Sequence, residues 1–92
     1  MYIAFMELSF DPDKNRINLR KHGIDLADTE AVFYDLNAIT VEDRDHEEQR
    51  FVTLGMDGLG QLLVVCYTYR DDTIRVISAR KAEAHERKVY EG

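Results

Sequence analysis

The chain has a single cysteine, a single proline, few glycines and no long run of apolar side chains among its 92 residues. Each shortage closes off a class of protein. Cys66 alone cannot form an internal disulfide and has no second thiol for a cysteine zinc site; within the apolar run 61–69 it is expected as an inert, buried thiol. Nothing approaches the roughly 20 apolar residues needed to cross a bilayer, and the N-terminus lacks the basic-then-apolar order of a secretory signal. The expectation is a soluble, cytoplasmic protein with no membrane partner. No segment is linker-like, repeated or of low complexity. One domain over residues 1–92, with one modest core drawn from the 45% of residues that are apolar, is therefore expected.

Basic charge is also in short supply. A formal net charge of −6 and a pI near 4.9 argue against a general, non-specific nucleic-acid binder. The distribution is uneven, with 5 basic and 12 acidic side chains in residues 1–49 against 7 and 6 in residues 50–92. Acid concentrates in Glu42, Asp43, Asp45, Glu47 and Glu48, read as a solvated loop that is also suited to a basic partner. Against this background, Lys14, Arg16, Arg20, Lys21 and the titratable His22 follow one another with no acid between Lys14 and Ile24. That local cationic site is the feature to explain.

The site lies on a well-punctuated helix, predicted over 12–22. Asp11 is a good N-cap, Pro12 suits the first helical position, and Gly23 can take the left-handed conformation that ends the helix. Loose alternation of Ile3, Phe5, Leu8 and Phe10 predicts a strand before it. A second helix is expected after an N-cap at Asp25, with Leu26, Thr29, Val32 and Phe33 forming one stripe. Strands are predicted at 38–43, 50–56, 61–69 and 73–79, the second and third joined by the turn Asp57-Gly58-Leu59-Gly60. A short terminal helix, 82–91, is expected to use Ala82, His85 and Val89 as its spacing. The order β-α-α-β-β-β-β-α implies an α+β fold, an antiparallel sheet with two N-terminal helices and one C-terminal helix covering one face.

Two basic blocks can converge in such a fold: Lys14, Arg20, Lys21 and His22 from the first helix, and Arg50, Arg75, Arg80 and Lys81 from the sheet. Guanidinium groups grip phosphate bidentately, and Lys supplies a mobile point charge. RNA carries its own nucleophile, the 2′-hydroxyl, so cleavage needs a base, an electrostatic clamp and an acid, with no metal required. His22 is a candidate acid or base because the ordinary imidazole pKa lies near about 6.5; its alternative role is to end the helix, where it interacts with the last carbonyls. Arg80 and Lys81 are equally readable as solvated charges, Arg75 as a cross-strand partner, and Tyr67 as a core aromatic or a base-stacking ring. Asp43, Asp45 and Glu47 alternate like the start of a calcium loop but lack its glycine and closing glutamate. The Asp57 turn lies between strands and is no phosphate cradle. No metal or cofactor is expected.

These residues, taken together, resemble a known family. Phe10-Asp11-Pro12 with Lys14-Asn15, Asn18 to Gly23, Val32-Phe33, Glu48 with Arg50-Phe51, Ile77 to Ala82, Glu86-Arg87 and Tyr90 are similar to the BrnT toxins of bacterial type II toxin–antitoxin systems. The resemblance implies a RelE-like fold, a ribonuclease that halts translation, and neutralisation by a BrnA antitoxin whose ribbon-helix-helix domain binds operator DNA. It implies catalytic roles for His22, Arg50, Arg80 and Lys81, with Arg80 clamping the scissile phosphate, and RNA contacts from Lys14, Arg20, Lys21, Arg75 and Tyr67. The sequence departs from the family pattern at Glu83, Ala84 and His85, where a capping Ser or Thr and a basic pair are expected, and at Asp35-Leu36, where Asp-Pro is usual. Rival readings of the same patch are a non-catalytic antitoxin-binding module and a RelE- or ParE-like poison of a protein such as gyrase.

Overall fold

A computed structural model describes residues 7–44 and 47–92; Ile3 and Phe5 of the predicted first strand, and Asp45 and His46 of the acidic loop, lie outside the described residues. Strand β1 (Glu7–Phe10) leads into helix α1 (Pro12–His22) and a 3-10 helix (Leu26–Tyr34). Strands β2 (Ile39–Asp43), β3 (Arg50–Met56), β4 (Leu62–Arg70) and β5 (Thr73–Lys81) follow, and helix α2 (Ala84–Glu91) ends the chain. The sheet order is β1-β5-β4-β3-β2. Strands β2 to β5 form an antiparallel meander, but β1 runs parallel to β5, so the sheet is mixed and not antiparallel throughout as expected. The cause is topological. The two helices carry the chain from β1 at one edge to β2 at the far edge, and the four-strand meander returns with β5 pointing the same way as β1.

The element order also differs from the expected one at its third member, which is a 3-10 helix and not an α-helix. The reason is visible in its buried residues. Leu26, Thr29 and Val32 recur every third position and are fully buried, which matches the three-residue turn of a 3-10 helix better than the 3.6-residue α turn. Asp25 caps it as expected, accepting the Ala27 N–H at 2.9 Å.

Helix α1 begins and ends as its punctuation dictates: Asp11 accepts the Asp13 N–H at 2.9 Å, and Gly23, at φ 72°, donates to the Leu19 carbonyl at 2.8 Å. Because β1 ends at the level of Val76, the rest of β5 has an open edge on that side. Helix α1 covers it with one side chain. Asn18, 5% exposed, accepts the Ala79 N–H at 3.1 Å and donates to the Ala79 and Ile24 carbonyls, each at 2.9 Å. A buried amide thus replaces the neighbouring strand that the edge lacks.

The core lies between the sheet and these helices. It is built from Ile24, Leu26 and Val32 against Leu63, Val65 and Tyr67 of β4 and Ile74, Val76 and Ala79 of β5. Ile74 and Val76 share the core face; Ile77 is then an extra residue, since Tyr67 pairs with Val76 and Cys66 with Ser78. This bulge shifts the alternation, so Ala79 turns inward and Arg80 is sent to the opposite face.

The 3-10 helix presses hardest on β3 at Gly55. A Cβ there would stand 2.9 Å from the Val32 Cγ1 and 3.3 Å from the Val32 carbonyl oxygen. Backbone on one side and a fully buried side chain on the other leave little room to give. Gly55→Ala is expected to cost about 1–3 kcal/mol by overpacking, read as a lower midpoint in urea unfolding with the slope unchanged.

Candidate functional site

On the sheet face opposite the core, side chains alternate out from β3, β4 and β5. Thr68 pairs with Arg75 in register and points away from the core, whereas Tyr67 points into it. At the end of this face nearest the start of α1, Lys14, Arg50, Arg70 and Arg75 converge on one shallow cleft together with Asp11, Glu48 and Thr68. Its floor is formed by Val76 and Ile77, and its volume is about 50 Å³. Four cations against two carboxylates make this a positive site in a chain of net charge −6. The volume is small, so a charged group can sit in it while larger substituents remain outside.

Each side chain is placed by an identifiable element. Lys14 comes from the first turn of α1, which the Asp11 cap and Pro12 fix at the end of β1. Arg75 lies on β5 immediately before Val76, Arg70 at the end of β4, and Arg50 at the start of β3 opposite Asp43. Thr68, 3% exposed, donates to the Gln49 carbonyl at 2.5 Å and so ties the loop before β3 to β4. The preceding residue, Glu48, faces Arg70 at 3.6 Å. Arg50 Nε is buried and has no hydrogen-bond partner among the described residues. A buried unpaired donor is rare and costly in a finished core; in a cationic cleft it is a group ready to meet an anion.

Two larger cavities, of about 310 and 500 Å³, flank the 3-10 helix. Both contain Glu30, with Asp35 in the first and Asp28 in the second, and neither lining includes a Lys or Arg. Size favours them, but charge decides against them for a phosphate. Tyr67 lies in the first, its hydroxyl 2.8 Å from Thr53 Oγ1 and its ring edge-on to Phe33 at 4.9 Å. It is a core aromatic on the wrong face to stack over the cationic cleft.

The structure therefore divides the residues expected to act together. Lys14, Arg50 and Arg75 meet. His22 stands two turns further along α1 from Lys14, about 12 Å by helix rise, with the exposed Arg20 and Lys21 beside it. Arg80 is about 15 Å along β5 from Arg75, and Lys81 is exposed beyond it. Arg70, one residue beyond the predicted strand 61–69, joins the cleft because β4 runs to Arg70. Glu48, grouped with the acidic loop, joins it because Thr68 holds that loop down.

Arg80 is engaged elsewhere. Its Nη1 and Nη2 donate to Glu86 Oε1 and Oε2 at 2.8 and 2.9 Å, and Nη1 lies 3.8 Å from Glu83 Oε1. Glu86 also accepts the Glu83 N–H at 2.8 Å, so a carboxylate three residues into α2 supplies the cap that the missing Ser or Thr was expected to provide. Helix α2 docks through Glu86 and Tyr90 and not through Val89, which is 60% exposed. Tyr90 donates to Asp35 Oδ2 at 2.6 Å, and the same oxygen accepts the Met56 N–H at 2.8 Å. Burial opposes the charge of Asp35, but the bonds from Tyr90, Met56 and Asn37 outweigh it and hold the carboxyl below its ordinary range. The Asp35-Leu36 departure therefore leaves intact a carboxylate that pins α2 to β3.

Hydrogen bonding from Arg80 is the chief cause that brings Glu86 down from 4.5 to about 2, against an opposing push from burial. The lowered value means the pair contributes fully above the ordinary glutamate range and is lost as pH falls through about 2. Because Arg80 is 36% exposed, solvent screening leaves only about 1–2 kcal/mol of the nominal effect. The wild-type melting temperature is expected to fall more steeply than that of Glu86→Gln between about pH 4.5 and 2, measured by circular dichroism.

Cys66 is on the cleft face, and its thiol is raised chiefly by burial, which Arg50 opposes and Asp43 reinforces. That keeps it from acting as a thiolate nucleophile.

Residues 10–86 match the family described as "Ribonuclease toxin, BrnT, of type II toxin-antitoxin system". The chain belongs to the BrnT family. Every residue of the cleft, from Asp11 to Ile77, lies inside the matched segment, as does the Arg80–Glu86 pair. Among solved structures, the fold is similar to the ribonuclease toxin BrnT of Brucella abortus, with a TM-score of 0.71 and 25% identity over 86% of this chain and 99% of that one. No curated protein sequence gives a significant match.

Proposed function

We propose that the chain is the toxin of a type II pair and cleaves RNA without a metal ion, through attack of a 2′-hydroxyl on the adjacent phosphorus. The observation that carries this reading is the convergence of Lys14, Arg50, Arg70 and Arg75 on a cleft of phosphate size. Arg50 and Arg75 bind the non-bridging oxygens and stabilise the charge that grows on them during attack. Arg70 and Lys14 hold the neighbouring backbone. The cleft admits the phosphate and leaves the bases outside, so the protein grips the strand by its backbone. Arg80 supports α2 in this reading, and His22 lies outside the chemistry.

The wider setting follows from the family: translation stops as transcripts are cut, and a BrnA-type ribbon-helix-helix antitoxin neutralises the toxin and links it to operator DNA, all in the bacterial cytoplasm. The direct test incubates the purified chain with a mixed-sequence RNA in chelator and identifies the new ends. Cleavage with 2′,3′-cyclic phosphate and 5′-hydroxyl termini is expected, and Lys14→Ala is expected to slow it about 10-fold through loss of one backbone contact. Intact RNA under conditions in which the chain still arrests growth would overturn the nuclease reading.

A further inference from the structure

Among the described residues the cleft holds two carboxylates, of which one is already committed. Asp11 is committed to α1, where Oδ1 accepts the Asp13 N–H at 2.9 Å. Glu48 caps no helix. Its side chain is 47% exposed, lies against the open cleft and faces the Arg70 guanidinium at 3.6 Å. The bond from Thr68 to the Gln49 carbonyl fixes the backbone next to it, which brings an otherwise solvated loop residue into a defined position. Among the described residues, no histidine lines the cleft. We infer that Glu48 is the general base of this site, receiving the proton of the attacking 2′-hydroxyl. The inference rests on the nuclease reading above and extends it.

The step balances within the cleft. As the 2′-oxygen bonds to phosphorus, its proton passes to the Glu48 carboxylate and the bond from phosphorus to the 5′-oxygen breaks. The departing oxygen takes a proton from a water molecule in the open cleft, since a guanidinium does not give one up in proteins. The products are a 2′,3′-cyclic phosphate and a 5′-hydroxyl. The hydroxide left behind takes the proton from Glu48, so no co-reactant is consumed. Arg70 orients the Glu48 carboxylate through the 3.6 Å ion pair.

The test compares wild type with Glu48→Gln and Glu48→Asp. Binding is read with a 2′-O-methyl RNA of the same sequence, which lacks the nucleophile, and turnover with the all-ribose strand. For Glu48→Gln, cleavage at saturating RNA is expected to fall about 100-fold or more, in the range general-base catalysis supplies. Binding is expected to be unchanged or tighter, because a negative charge has been removed. Glu48→Asp is expected to recover part of the rate, and the rise of rate with pH on the acid side seen in wild type is expected to vanish in Glu48→Gln. If wild type cleaves and Glu48→Gln cleaves within threefold of it, or retains the same acid limb, Glu48 is not the base and the nuclease reading stands. If wild type leaves RNA intact, both fall together.

Discussion

Replacing Arg50 and Arg75 together with alanine is expected to reduce RNA cleavage about 1,000-fold or more while the fold persists. Removing a single preorganised donor from the charge that develops in a transition state typically costs about 100- to 1,000-fold, and these two guanidinium groups line one cleft on the same sheet face. The loss will fall short of a simple product of two single losses, because each residue helps to place the group the other binds. Neither residue holds the core together. Both are only partly buried, and the buried residues around them, Thr68 and Val76, keep their register on β4 and β5. Among the described residues the buried Arg50 Nε has no partner, so truncating Arg50 strands none of them at that atom. Arg80→Ala makes the informative contrast: it is expected to lose stability through Glu86 while retaining cleavage within a few-fold. Initial rates on labelled RNA, set beside thermal melts of the same samples, separate the two outcomes. If Arg80→Ala loses activity at unchanged stability and the double variant does not, the cleft has been assigned to the wrong end of β5.

Local chemistry made much of this fold legible. The Asp11-Pro12 start and Gly23 stop of α1 are written in single residues whose backbone preferences have no strong competitor. The four meander strands follow from alternation and turn residues. What sequence did not reveal depends on distance. Parallel pairing of β1 with β5 joins residues 66 positions apart, such as Glu7 and Thr73, and nothing in either strand records it. The bulge at Ile77 is equally silent, and it turns Arg80 to the same face as Arg75; distance along β5 and the pairing with Glu86, not facing, keep Arg80 out of the cleft.

The candidate site shows the same division. Positive charge identified Lys14, Arg50 and Arg75, but charge alone cannot distinguish a cation left free from one already paired. Arg80 was paired by Glu86, a contact suggested only by their shared proximity to the turn before α2. Arg70 and Glu48 are absent from the expected site because Arg70 lies between two predicted strands and Glu48 falls in the acidic run, although the family motif sets Glu48 beside Arg50-Phe51. A signal was present. Glu48 is two residues before Arg50, and a predicted strand on 50–56 already placed both at its entrance, next to whatever Arg50 binds.

The second large effect is expected at Asn18, which carries no charge and touches no substrate. Asn18→Leu keeps the size of the side chain but leaves the Ala79 N–H, the Ala79 carbonyl and the Ile24 carbonyl without the partners Asn18 supplies. The site is 5% exposed, so water cannot readily replace them. At about 1–3 kcal/mol for each buried group left unpaired, partly relieved by local rearrangement, the net loss is expected to be about 4 kcal/mol. That is a large share of the roughly 5–15 kcal/mol that holds a typical domain together, and it corresponds to a melting temperature lower by about 20 °C in a chain of this size. Ile17→Ala, one residue away and 65% exposed, should leave the melt almost unchanged. Hydrogen exchange locates the damage, since the Ala79 amide should lose protection while amides in β3 keep theirs. Function should suffer too, because α1 is held to β5 by Asn18 and carries Lys14 at its other end; cleavage by the folded fraction should drop through weaker RNA binding before the rate at saturation changes. A melt for Asn18→Leu within a few degrees of wild type would mean that the open edge of β5 is satisfied by something other than this amide.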